Sequence, residues 1–134
     1  MCGKAEEIVS TKTAVETRER PDKILYTKLC GIADAPMMEA VTDSVSPYIG
    51  NADSTDWIID ATDVTDIGSE LPASLSALLR SVKARNVHHI ALITKLSKLR
   101  LAMVTASFAE RAYIMFADTL PEAEEVIATR RAED

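Results

Sequence analysis

The densest set of chemically able side chains is Asp60, Thr62, Asp63, Thr65 and Asp66, following directly on the apolar run Trp57-Ile58-Ile59. Carboxylates and hydroxyls just beyond the carboxyl end of a buried strand stand where open α/β sheets bind ligands, and hard cations such as magnesium favour such oxygens. The same residue types also collect in strand-end loops because their short side chains bond to nearby backbone. His88 and His89 are adjacent, so on a regular strand they point to opposite faces and do not easily converge on one metal. No Gly-x-Ser-x-Gly elbow occurs, and the four glycines form no phosphate-cradling loop. These residue types assign no catalytic residue, no metal site and no cofactor, so the chain is expected not to be an enzyme.

Two further groups can make contacts. Lys95, Lys98 and Arg100 stand at the start of an apolar helical pattern, where cations oppose the helix dipole and suit an anion or an acidic partner surface; as isolated charges they equally form a solvated face. Met37-Met38 and Met103 with Met115 can line an adaptable apolar pocket or fill core gaps. Trp57 reads as a packing anchor.

Positioning these groups requires alternating strands and helices. Ile8 to Val15 and Lys23 to Cys30 read as two strands separated by the polar break Thr17 to Asp22, with Gly31 ending the second. Asp34 before Ala35-Pro36 reads as a helix N-cap, and Met37, Met38, Val41 and Val45 make that helix's apolar face before Pro47. After a polar loop from Asn51 to Asp56, Trp57 to Ala61 is a short central strand; Pro72 to Ala84 is a helix with Leu75, Leu78, Leu79 and Val82 on one stripe. His88 to Thr94 is a strand. A helix begins near Ser97 with Leu99, Leu101, Met103, Val104 and Phe108 spread over more than one face, Ala112 to Phe116 is a last strand, and Thr119 to Glu122 is a capping box opening a terminal helix. Residues Arg130 to Asp134 are expected to fray. The pattern predicts an α/β fold: a mixed, mostly parallel central sheet of about five strands with about four helices.

A chain of 134 residues, 47% apolar, suits one domain with a continuous core. Its net charge of −6 opposes binding to nucleic acid and to anionic membranes. The apolar runs are too short for a transmembrane segment and the N-terminal residues form no signal core, so a cytoplasmic location is expected. Cys2 and Cys30 are too few for a disulfide framework and are expected to be free thiols.

The stretch Trp57 to Ile67, the following helix and the strand from Asn86 to Thr94 resemble the centre of a STAS domain, the superfamily named for sulfate transporters and anti-sigma factor antagonists. Ser97 to Ala109 and Phe116 to Ala123 resemble a bacterial STAS-like branch also related to lipid-binding CRAL-TRIO domains. The resemblance implies a single STAS-like domain over residues 1–134, with a core of about 8–128 and flexible termini. In the anti-sigma factor antagonists an Asp-Ser-Ser-Gly signature after the central strand carries a phosphorylated serine. Here Ser69 falls near that serine, Gly68 replaces the aspartate and Glu70 takes the neighbouring serine position.

The resemblance therefore implies a bacterial signalling module that binds a protein partner through a loop containing Thr62, Asp63, Thr65, Asp66, Ser69 and Glu70, with Ser69 the candidate phospho-switch. Ser69 reads alternatively as a plain N-cap for the helix at Pro72. The second reading is a carrier or sensor of a small apolar ligand or lipid. A homodimer through the first, antiparallel edge strand is compatible with either.

Overall fold

The computed structural model describes residues 14–50 and 55–133. The chain forms β1 (Ala14–Glu19), β2 (Ile24–Ala33), α1 (Ala35–Val45), a single 3₁₀ turn (Ser46–Tyr48), β3 (Thr55–Ile67), α2 (Leu71–Ala84), β4 (Val87–Ile93), α3 (Ser97–Glu110), β5 (Ile114–Ala117) and α4 (Leu120–Glu133). The sheet order is β1-β2-β3-β4-β5; β1 runs antiparallel to β2 and the remaining pairs are parallel. This is the mixed, mostly parallel α/β architecture expected from the sequence.

Strands β2 to β5 lie side by side in chain order, so crossovers of one hand carry α1, α2 and α3 to the same face. There they share a core with Leu25, Leu29, Trp57, Ile59, Ile90 and Leu92. Helix α4 follows the last strand, is bound by no crossover, and covers the other face, packing Ala123 and Ile127 on Ile24, Ile58, Ala91, Ile93 and Met115. Trp57 is 1% exposed, and its indole N–H donates to Thr27 Oγ1 at 2.9 Å. Thr27 in turn meets Thr17 at 2.8 Å, and Ser44 donates to Thr17 at 2.7 Å. Hydroxyls thus satisfy the polar end of the largest core side chain.

The capping reading of Asp34 holds: its carboxylate accepts from Met37 N at 3.0 Å, with proline in the first turn. Five other expectations are corrected. The first strand occupies Ala14–Glu19, running from the end of the expected strand into the first half of the expected polar break, because an edge strand with a solvated face tolerates charge; residues 8–13 lie outside the described residues. Gly31 does not end β2. It sits at φ 103 beside a register shift, and the strand continues to Ala33. The terminal helix runs to Glu133, so Arg130 and Arg131 belong to it and not to a frayed tail. Cys30 is buried and is not a free thiol. Cys2 lies outside the described residues. His88 and His89 do not point to opposite faces: their rings stack at 4.4 Å with 11° between planes, because three residues of β4 span the interval of two on β3 at that end of the ladder.

Candidate functional site

Strand β3 is the longest element of the sheet. Its first half pairs with both β2 and β4, whereas beyond Asp60 it pairs with β2 alone. From Ile24 to Ala33 on β2, β3 uses Asp56 to Ile67, two residues more, and the extra residues fall at two register shifts. Bulges of this kind twist a strand and re-aim its side chains. The acidic cluster expected in a strand-end loop therefore stands on the strand itself. Thr62, Asp63, Thr65 and Asp66 are all residues of β3, and only Gly68, Ser69 and Glu70 form the turn to α2. A short apolar run marks where a strand is doubly covered, but not where backbone pairing stops, so the apolar pattern ends at Ala61 while the strand continues to Ile67.

On the sheet face carrying α4, Asp60 anchors a polar network at the border of the apolar core. It is 7% exposed. Its carboxylate accepts from Thr62 Oγ1 at 2.5 Å and Thr62 N at 3.0 Å, and also from the hydroxyl of Tyr26. Lys28 Nζ lies 3.7 Å from Asp60 and 3.4 Å from Asp63, and the Arg18 guanidinium lies 5.1 Å from the centroid of the Tyr26 ring. Burial opposes the charge on Asp60, but hydrogen bonds from Thr62 and Tyr26 and the Lys28 charge outweigh it, so the carboxyl stays below its ordinary range. Burial, reinforced by the hydrogen bond to Asp60 and its charge, pushes the Tyr26 hydroxyl up. At neutral pH Tyr26 keeps its proton and Asp60 remains ionised. Neither is poised to exchange protons with a substrate.

Tyr26, Lys28 and Arg18 escaped the sequence reading. The signal was present in the alternation Ile24, Tyr26, Lys28, which puts all three on one face of β2, but only the β2–β3 register places that row beside Asp60.

The turn beyond β3 is held closely. Gly68 N donates to Ala33 O at 2.7 Å, and a Cβ on Gly68 would stand 2.9 Å from Cβ of Asp34, the cap of α1. The aspartate that the resemblance expects at this position has no room. Ser69 and Glu70 are exposed. Ser69 is not the cap of α2: Glu70 occupies that position and no side chain caps the helix. Leu71 N already donates to Gly68 O at 3.2 Å, and Pro72 has no N–H, so the first turn of α2 offers an anion fewer donors than a regular helix end.

The three basic residues have different neighbours. Arg100 donates to Thr94 O at 3.1 Å and to Asp118 at 2.8 Å, locking the end of β4 to the start of α4. Lys98 reaches Asp66 at 3.4 Å, tying α3 to the end of β3; the backbone N–H of Ile67, with Lys98, holds the Asp66 carboxyl low. Lys95 is exposed just before α3. The methionines do not converge either: Met37, Met38 and Met103 fill the core under α1 to α3, whereas Met115 lies on the opposite face with α4. Among the described residues no group of three or more His, Cys, Asp or Glu side chains can hold a metal ion, and no helix is long and apolar enough to cross a membrane.

No protein-family model matches the chain, and no curated protein matches it. Solved structures do. An anti-sigma factor antagonist from Mycobacterium paratuberculosis superposes with a TM-score of 0.62 at 15% identity, over 88% of this chain and 96% of that one. The anti-sigma factor antagonist SpoIIAA in its unphosphorylated form gives 0.60 at 15% identity, over 87% and 98%. A protein of the DUF3478 family with a SpoIIAA-like fold from Shewanella loihica PV-4 gives 0.59 at 15% identity, over 84% and 91%. The chain has a STAS-like, SpoIIAA-like fold.

Proposed function

We propose that this chain is a non-enzymatic, STAS-type regulatory module that binds a protein partner through the end of β3, the Gly68–Glu70 turn and α2. The observation that carries the reading is the exposed Ser69-Glu70 turn, positioned by the Gly68 contact with Ala33 and Asp34 on a fold shared with two anti-sigma factor antagonists. Asp63, Thr65, Asp66 and the outward residues of α2 extend that surface, and Ser69 is the switch residue. Phosphate on Ser69 would act chiefly by adding negative charge beside Glu70 and Asp66, since the first turn of α2 has few donors to spare for it.

The test is native mass spectrometry of the chain gently purified from its host, followed by binding of the recovered partner to variants. Retained binding by Ser69→Ala and loss by Ser69→Asp support the switch. Equal binding by wild type and both variants rejects it, and binding unaffected by Asp63→Ala, Asp66→Ala and Ala77→Arg together rejects the surface.

A further inference from the structure

Helix α3 presents an apolar stripe to solvent. Leu101, Val104 and Phe108 are 68, 46 and 88% exposed, and their spacing places them on one side of the helix, opposite Leu99, Ala102, Met103 and Ala106, which are buried. Three exposed large apolar side chains in one row exceed the scattered single ones expected of a surface. The row adjoins the proposed binding surface: Lys98, at its N-terminal end, bonds to Asp66 of β3, and Arg80 of α2 bonds through two nitrogens to Glu110 at its C-terminal end.

The charge around the row is net positive. Lys98, 64% exposed, is paired with Asp66, 55% exposed, and Arg80, 68% exposed, with Glu110, only 15% exposed, whereas Lys95 and Arg111 are exposed at the two ends, so the four cations outnumber the two carboxylates. The same charges argue against a second copy of the chain. Antiparallel pairing of α3 with its copy, in the register that seats Leu101 on Phe108, brings Lys98 against Arg111 of the copy. Parallel pairing sets Lys98 against Lys98 and Arg111 against Arg111. Like charges so placed oppose association. A membrane is also disfavoured, since three side chains bury little apolar area.

We infer that the α3 stripe receives an amphipathic acidic helix of a protein partner, with apolar residues at i, i+3 and i+7 flanked by Asp or Glu. The inference rests on the regulatory reading above and supplies the chemistry of its partner.

The experiment titrates the full chain with a synthetic helical peptide of about 18 residues bearing leucines at that spacing and glutamates beside them, and with its twin bearing lysines instead. Chemical shifts map the contact. The acidic peptide is expected to perturb Leu101, Val104 and Phe108, to bind roughly tenfold or more tightly than its twin, and to lose roughly tenfold or more in affinity to the doubly substituted Leu101→Ser, Phe108→Ser chain. Both positions are mostly solvent-exposed, and an unchanged urea midpoint checks that the variant is folded. Failure of the acidic peptide to bind, equal binding of the twin, or indifference to the double substitution overturns the inference. So does a dimer dissolved by the double substitution, which makes a second copy the occupant, or stripe-dependent binding to phosphatidylserine vesicles without peptide binding. A host partner that needs the Ser69 turn but tolerates the double substitution retains the regulatory reading and rejects the acidic helix. Peptide binding by a chain with no host partner rejects the regulatory reading alone.

Discussion

The hydroxyl of Tyr26 on β2 donates to the carboxylate of Asp60 on β3 although the two residues are not register partners: Tyr26 stands opposite Ile58, and Lys28 stands opposite Asp60. The diagonal contact gives a buried carboxylate a neutral donor on one side while Lys28 supplies charge on the other. Removing the donor in Tyr26→Phe leaves Asp60 less well solvated by the protein. Loss of a hydrogen bond to a charged group predicts a decrease in stability of about 1.5–3 kcal/mol in urea denaturation, and an Asp60 carboxyl that titrates at higher pH by NMR. An unchanged urea midpoint and an unchanged titration would show that the bond contributes nothing.

The same pair fixes how stability depends on pH. The Asp60 carboxyl is held below its ordinary 3.8, so its contribution is present above that value and is lost as pH falls through the lower folded pKa. Tyr26 is held above its ordinary 10.0, so its contribution is full below that value and declines as pH rises beyond it, where the unfolded chain releases the proton first. The alkaline fall in stability above pH 10.0 is expected to be shallower in Tyr26→Phe than in the wild type. Parallel alkaline slopes for the two proteins would count against the assignment.

Apolar spacing made much of this fold readable. Met37, Met38, Val41 and Val45, and likewise Leu75, Leu78, Leu79 and Val82, repeat at helical intervals and are all buried, since a period set by backbone geometry survives tertiary packing. Strand ends were less legible. Nothing local distinguishes Thr62 to Asp66 in a paired strand from the same residues in a loop, because β2 supplies the pairing from a distant part of the chain. Helix α3 carries apolar residues on more than one face, as its sequence shows, but which face is buried is set by the sheet: it leaves room for only one, filled by Leu99, Ala102, Met103 and Ala106, and Leu101, Val104 and Phe108 stay exposed.

Gly68 is expected to be intolerant of even the smallest side chain. A methyl group there would stand 2.9 Å from Asp34 Cβ, so Gly68→Ala must move either the turn or the cap of α1. Loss of an N-cap costs about 1 kcal/mol, and displacement of the turn adds to it. Urea denaturation should therefore show a destabilisation of at least that size, and hydrogen exchange should show faster amide exchange in the first turn of α1. A variant with wild-type stability and wild-type protection in that turn would mean that the close approach is relaxed in solution.

Arg131, near the end of the described chain, reaches Asp56 at the start of β3, and Asp56 also accepts from His89 N at 3.1 Å and meets His89 Nδ1 at 2.9 Å. Asp56 is 5% exposed and His89 equally so, so the carboxylate depends on these partners in place of water. Arg131 is itself 39% exposed, which moderates the expected cost of Arg131→Ala to about 1–3 kcal/mol. Truncation after Thr129 should cost at least as much, since it also removes the last turn of α4. In a double-mutant cycle, Asp56→Asn with Arg131→Ala is expected to cost less than the sum of the single changes, because each removes the same contact. Additive costs, or a truncated chain with an unchanged urea midpoint, would show that α4 is docked through Ala123 and Ile127 alone.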